Sequence, residues 1–108
     1  MKREEILQKA IELINVDRAA DYGPAYENHK RVAELWSVVF GIKINVFQVV
    51  LCLILLKIAR LIYSPSKEDS WIDIGGYTGI GGEFVEKEKN DKWSIPFIRT
   101  RYKRYILG

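Results

Sequence analysis

Residues 45–63 read NVFQVVLCLILLKIARLIY, and this stretch decides the fold of the chain. Apolar side chains occur at every phase of a helical turn, and Asn45 is a suitable N-cap for a helix that runs to about Tyr63. A helix that is apolar on all sides must be surrounded by other structure. The short helices that one chain of 108 residues offers can hardly enclose it. We therefore predict a dimer in which this helix helps to form the interface.

The overlapping segment 44–56 could be mistaken for a membrane span, because it is very apolar. Asn45 and Gln48 interrupt this part, while Lys57 and Arg60 close it. It is shorter than the roughly 20 residues that a bilayer core of about 30 Å requires. The sequence therefore predicts a buried core helix and no membrane partner.

The only cysteine, Cys52, lies within this apolar stretch. We interpret it as a small buried hydrophobe in a reducing compartment. After Met1 the chain opens directly into a charged amphipathic segment, with no secretory signal visible. These observations predict a cytoplasmic protein.

Three further helices are predicted. Apolar residues at helical spacing indicate one over residues 3–17, Pro24 and Gly41 bound another, and the last begins at Ser66 with Asp69 in a capping-box position. That last helix is rich in glycine, at Gly75, Gly76, Gly79, Gly81 and Gly82. An interior glycine costs about 0.8–1 kcal/mol relative to alanine. Either another backbone packs closely against this helix, or the helix stops near Gly81.

Residues 83–92 alternate in charge and are typical of a solvated helix end and loop. The whole chain, residues 1–108, is predicted to be one all-α domain of four to five helices that ends in a basic, aromatic tail over residues 93–108. Much of the net charge of +3 comes from Arg99, Arg101, Lys103 and Arg104. The rest of the chain is near neutral, which argues against a nucleic-acid partner.

Carboxylates on two of the predicted helices suggest a metal site. Asp69 and Asp73 are four residues apart and share a helical face, and Glu27 and Glu34 are seven apart on another helix. Oxygen ligands from two helices are suited to Mg²⁺ or Mn²⁺ with a substrate phosphate. Other residues suit a nucleotide: Lys57 and Arg60 for phosphates, Asn28 beside Glu27 as a further site candidate, and Tyr22, Trp36, Trp71 or Tyr77 for stacking on a base.

Each of these features also has a structural explanation. Carboxylates in the first turn of a helix oppose the positive end of its dipole, which accounts for Asp69 without a metal. Asp73 lies two turns in and suits either function or a buried ion pair with Arg60. Lys57 and Arg60 are equally suited to pairing with these aspartates. Glu34 is better explained as a solvated position, and the single histidine, His29, as a residue that binds no metal.

Several motifs in this order resemble a family of small phage and prophage proteins related to the MazG-like, all-α nucleotide pyrophosphohydrolases. The resemblance covers about residues 15–85, and its motifs are Tyr22-Gly23, Glu27-Asn28, Leu35-Trp36, the segment 56–61 and the segment 69–77. MazG-like enzymes hydrolyse nucleoside triphosphates to monophosphate and pyrophosphate with a metal held by Glu-x-x-Glu and Glu-x-x-Asp pairs.

The chain departs from those pairs at two positions. Lys30 stands where the second glutamate would fall, and Ser70 stands three residues before Asp73. Glu27 and Asp73 match, and Asp69 is a substitute ligand. The resemblance thus implies Glu27 and Asp73 as catalytic residues and Glu27, Asp69 and Asp73 as metal ligands.

The expected function is Mg²⁺- or Mn²⁺-dependent hydrolysis of a nucleoside triphosphate in the host cytoplasm. Tyr22, Asn28, Lys57, Arg60, Trp71 and Tyr77 would contact the substrate. The alternative is a protein that binds and sequesters a nucleotide without turnover, for example a signalling molecule of host defence. A protein-interaction module that uses the basic tail is a third, weaker hypothesis.

Overall fold

The computed structural model describes residues 1–15 and 24–89. Within these ranges the secondary structure consists of four α-helices, without strands: α1 (Arg3–Asn15), α2 (Ala25–Phe40), α3 (Val46–Tyr63) and α4 (Glu68–Lys87). The predicted all-α class is confirmed. The predicted end of the first helix at residues 16–17 and the tail at residues 93–108 lie outside the described residues.

Two of the predicted helix boundaries are confirmed by their capping interactions. Gly41 ends α2 with a φ of 68°, and its N–H donates to the Ser37 carbonyl. Asn45 caps α3: its side chain accepts from the Gln48 N–H at 3.0 Å, and the Gln48 side chain accepts from the Asn45 N–H at 2.8 Å. These reciprocal bonds fix the start of the apolar helix.

The predicted capping box at Ser66 is wrong. Lys67 occupies the N-cap position of α4 and makes no side-chain capping bond, so Asp69 lies one position too early in the helix to complete a box. The first turn is held from outside instead. Glu68 accepts from the Met1 ammonium at 2.6 Å, and the Trp71 indole N–H donates to the Pro65 carbonyl at 3.0 Å.

The glycine-rich helix α4 contacts all three other helices. A Cβ added at Gly75 would lie 3.0 Å from the Ala10 Cβ, and one at Gly81 would lie 3.1 Å from Val50 Cγ1. The glycines therefore let α1 and α3 approach closely, as one of the two alternatives predicted. The other alternative, a stop near Gly81, is wrong, because α4 continues to Lys87.

The core lies where α2, α3 and α4 meet. Val46, Val50 and Phe84 are its fully buried members. The ring edges of Tyr26 and His29 pack against Phe84, each with a centroid distance of 5.4 Å. His29 also donates from Nδ1 to the Ala25 carbonyl at 2.7 Å, so its role is structural.

Within the described residues of one chain, α3 is buried on one side and exposed on the other, and the dimer that would cover its exposed side stays a prediction. Its inward residues Val46, Val49 and Val50 are at most 3% exposed, whereas Leu55 is 60% and Ile62 is 80% exposed. Cys52, predicted to be buried, is exposed. The reason is that, among the described residues, the neighbouring helices pack against one side of α3 and do not cover the other.

The length argument against a membrane span also needs correction. All 18 residues of α3 form one window of mean hydropathy 2.2, which is long and apolar enough to cross a bilayer by length and composition. One such helix is weak evidence, because the core helix of a soluble protein passes the same test. The described residues therefore do not indicate a clear membrane protein.

Candidate functional site

Lys57 and Asp73 form an ion pair between α3 and α4. The Lys57 Nζ lies 2.8 Å from Asp73 Oδ2, and the two side chains are 15% and 28% exposed. The helices run antiparallel here, since Lys57 meets Asp73 while Val50 approaches Gly81. The pair joins a phosphate-binding candidate to a catalytic candidate within one chain.

The sequence names Arg60 for a buried pair with Asp73 and leaves Lys57 and Arg60 equally suited to pair with the aspartates, and in the structure the partner of Asp73 is Lys57. Residues three apart on a helix differ by about 60° in direction, so only one of these two cations can face α4 squarely. Lys57 is the inward one, and Arg60 is exposed. Arg60 therefore keeps its charge in solvent beside the pair, where it is accessible to a ligand.

Asp69 and Trp71 lie on the exposed side of the first turn of α4. The Trp71 ring, a candidate for base stacking, is 49% exposed while its N–H is held by Pro65. Tyr77 differs, because it is half-buried and packs against the core cluster. Trp36, on α2, is also half-buried, so among the aromatic candidates in the described residues Trp71 is the one with an exposed ring.

Glu27 and Asn28 lie in the first turn of α2, away from this junction. Glu27 is exposed, and Asn28 Oδ1 accepts from Arg31 at 3.4 Å. The adjacent Tyr26 contacts Phe84, which is eleven residues beyond Asp73, or about 16 Å along α4. The structure thus separates Glu27 from Asp73 along the length of α4. Tyr22 lies outside the described residues.

No group of three or more His, Cys, Asp or Glu side chains that could hold a metal ion occurs in residues 1–15 and 24–89. Asp73 is engaged by Lys57, and Glu27 lies near the opposite half of α4. Within the described part of one chain, Glu27, Asp69 and Asp73 therefore do not fit a Mg²⁺ or Mn²⁺ site. Their metal-binding role stays a prediction.

Sequence reasoning missed a pocket at the start of α3. An open pocket of about 770 Å³ lies there, with Lys30, Glu34, Lys43, Asn45 and Glu88 among its lining residues. Asn45 and Glu88 are 1% and 2% exposed. The capping pattern identified Asn45 only as a helix start, and no sequence signal marked Glu88 as buried.

The family model that describes a "Domain of unknown function (DUF6378)" matches residues 5–85. The "Gene 55 protein" of Mycobacterium phage L5 is 45% identical over 76 residues, which cover 69% of this chain and 49% of that protein. The "Gene 55 protein" of Mycobacterium phage D29 is 38% identical over 84 residues, covering 78% and 56%.

The chain spans about half the length of these curated phage relatives. No solved structure matches it. The match to the family spans α1, α2, α3 and nearly all of α4, and so includes the Lys57–Asp73 pair. Because the family model matches more than half of the chain, the chain belongs to the DUF6378 family, a small family with members in phages.

Proposed function

We propose that this protein binds a nucleotide, with Lys57 and Arg60 contacting its phosphates. The observation that carries the proposal is the Lys57–Asp73 pair with the exposed Arg60 three residues away. A lysine ammonium has three donors, and Asp73 accepts from one of them. Lys57 is thus a cation fixed in position by its partner and still able to donate to phosphate oxygens.

Trp71 supports the same assignment, because it follows Asp69 on the exposed first turn of α4. Its indole N–H is held by the Pro65 carbonyl, which fixes the position of the ring. A base that stacks on such a ring gains about 1–3 kcal/mol. Trp71 is therefore the stacking candidate, and Lys57 and Arg60 are the phosphate-binding candidates.

Hydrolysis of a nucleoside triphosphate to monophosphate and pyrophosphate is the activity that the resemblance to MazG-like proteins implies. Mg²⁺ or Mn²⁺ would supply Lewis-acid activation of the phosphate and of the attacking water. Glu27, Asp69 and Asp73 do not come together in the described chain, so their arrangement supports no metal-dependent step. Asp69, exposed one turn before Asp73, is the residue that favours keeping this candidate.

Sequestration of a nucleotide without turnover is the second candidate. The pairing of Asp73 with Lys57 favours it, because a carboxylate oxygen that accepts from an ammonium has fewer lone pairs free for a metal ion. In a phage protein, such binding would remove a nucleotide from the host, including a signalling nucleotide of host defence. Either activity would take place in the host cytoplasm.

We also propose that the protein is a homodimer through the outer face of α3. Leu51, Leu55, Ile58 and Ile62 are spaced four, three and four residues apart and are 56%, 60%, 39% and 80% exposed. This is the spacing of a stripe that packs against another helix. A second copy would present the same stripe, as a two-fold interface requires.

The two candidate activities are separated by an assay of pyrophosphate release with the common nucleoside triphosphates in Mg²⁺ or Mn²⁺. A hydrolase releases pyrophosphate, and the double variant Asp69→Asn, Asp73→Asn abolishes the release. A sequestering protein releases none, and calorimetry shows the same nucleotide affinity with and without EDTA. The absence of both turnover and binding would reject the proposal.

A further inference from the structure

The second half of α2 and the turn after it carry an apolar surface that is open to solvent. Leu35, Val38 and Val39 recur at helical spacing on one side of α2, and Ile42 follows in the turn. These four side chains, which we call the α2 surface, are between 60% and 82% exposed. The other helices in the described part of the chain do not cover them. Contiguous exposed apolar side chains are typical of an interaction surface.

The pocket at the start of α3 borders the α2 surface, because Val38 and Ile42 also line the pocket. The charged residues of the pocket lining are two lysines and two glutamates: Lys30, Lys43, Glu34 and Glu88. Their charges balance, so the lining does not select for an anion or a cation. A charge-balanced pocket beside an apolar surface favours an apolar occupant.

The chain itself leaves α4 at this pocket. Lys87 is the last residue of α4, and the next residue, Glu88, is 2% exposed and lines the pocket. An extended chain advances at most about 3.3–3.6 Å per residue, so Trp93, five residues after Glu88, is within about 18 Å of it. The residues that follow Lys89 are therefore within reach of Val38 and Ile42, which line the same pocket as Glu88.

Segment 93–98 has the composition that such a surface requires. It reads WSIPFI and contains four large apolar residues. Pro96 lacks a backbone N–H and disfavours a helix, and it restricts Ile95 to extended conformations. In an extended segment alternate side chains point to the same side, so Trp93, Ile95 and Phe97 can face one surface together.

We infer that segment 93–98 packs on the α2 surface of its own chain and places an apolar side chain in the pocket. Only residues 89–92 separate this segment from Glu88, and a short linker gives a tethered group an effective concentration of about millimolar. A second copy of the chain must reach the same surface by diffusion. The tether therefore favours the segment of the same chain as the occupant.

This surface is separate from the nucleotide site proposed above. Lys87 is fourteen residues beyond Asp73, or about 21 Å along α4. The inference therefore does not depend on nucleotide binding, and the two can fail independently.

The first test uses the fluorescence of Trp93 in the full chain. Trp36→Phe together with Trp71→Phe leaves Trp93 as the single tryptophan. We expect its emission maximum in the folded protein to lie at a shorter wavelength than in urea, because packing removes the indole from water. Val38→Asp, at a position that is 82% exposed, should move the maximum towards the unfolded value and keep the helical circular dichroism signal.

The matched control is Leu7→Asp on α1, a position that is 61% exposed, and it should leave the emission unchanged. If Val38→Asp does not fold, Val39→Asp makes the same test at a position that is 76% exposed. An emission maximum equal to that of the unfolded chain, or one that the folded α2 variant does not move, would overturn the inference.

The second test identifies the chain that supplies the segment, and it keeps the native tryptophans. Val38→Cys and Ile95→Cys are combined with Cys52→Ser, and the full chain is oxidised with oxidised glutathione. We expect an intramolecular disulfide, seen by mass spectrometry as a monomer that has lost two hydrogens. The control, Leu7→Cys with Ile95→Cys in the same background, should form it far more slowly. Equal rates in the two variants, or a disulfide-linked dimer as the main product, would overturn the inference.

Discussion

The two sides of α3 have similar composition and opposite environments. Val50, on the inner side, is 3% exposed and approaches Gly81 of α4, while Leu55, on the outer side, is 60% exposed. Side-chain hydrophobicity does not distinguish them. What distinguishes them is whether a neighbouring helix has small residues that allow close packing. The inner side is thus explained by contacts within the described residues of one chain, and the outer side is the face on which we propose that a second copy packs.

The largest difference should appear when a charge is introduced on each side of α3. Val50→Asp places an unpaired carboxylate in the core and should lower the free energy of unfolding by about 4 kcal/mol or more. Leu55→Asp should keep the helical circular dichroism signal and convert a dimer into a monomer. Urea unfolding and sedimentation velocity measure the two effects. If the Leu55→Asp variant has the same sedimentation coefficient as the wild type, the dimer proposal is contradicted.

A smaller effect is expected at the boundary between the two sides, where Lys57 meets Asp73. Asp73→Ala leaves a largely buried ammonium without its partner and should cost about 1–2 kcal/mol of unfolding free energy. A double-mutant cycle with Lys57→Met measures the coupling. The matched control is the pair Lys89–Glu86, whose side chains are 61% and 73% exposed. Its coupling should be below about 0.5 kcal/mol, and equal couplings would show that the Lys57–Asp73 pair is only a surface contact.

The glycines of α4 give a matched pair of substitutions. Gly75→Ala forces a Cβ to within 3.0 Å of the Ala10 Cβ and should destabilise the protein by about 1 kcal/mol net. Gly82→Ala meets nothing within 4 Å and should stabilise it by about 0.5–1 kcal/mol. Thermal unfolding at one protein concentration compares them. Stabilisation by both would show that α1 does not pack closely against α4.

The smallest effect concerns the ion pair that joins the start of α1 to the start of α4. The hydrogen bond and charge of Glu68 raise the pKa of the Met1 ammonium above its usual 8.0. A raised pKa means that the stabilisation is fully present below pH 8 and is lost as the pH rises through the folded-state value. The difference in Tm between wild type and Glu68→Gln should therefore shrink between pH 7 and pH 10. A Tm difference that stays constant over this pH range would show that titration of the Met1 ammonium does not contribute to stability.

Local signals in the sequence predict much of the fold. Asn45 and Gly41 mark helix ends through backbone chemistry that depends on a few adjacent residues, and the structure confirms both. The glycines of α4 predict close approach, although they do not identify Ala10 and Val50 as the partners.

Other features depend on tertiary geometry. The choice of Lys57 over Arg60 as the partner of Asp73 depends on the rotation of α3 about its axis. The exposure of Cys52 depends on how many helices surround α3. The separation of Glu27 from Asp73 depends on which half of α4 the start of α2 packs against. Residue spacing within one helix carries none of this information.

Nucleotide binding at the junction of α3 and α4 is the central claim, and calorimetry with a nucleoside triphosphate tests it most directly. Lys57→Ala and Arg60→Ala should each weaken binding by about 1.5–3 kcal/mol, or at least about tenfold in Kd. Lys9→Ala, on the exposed side of α1, removes the same charge elsewhere and should leave Kd unchanged. Equal affinities in all three variants and the wild type, or no binding by the wild type, would contradict the account.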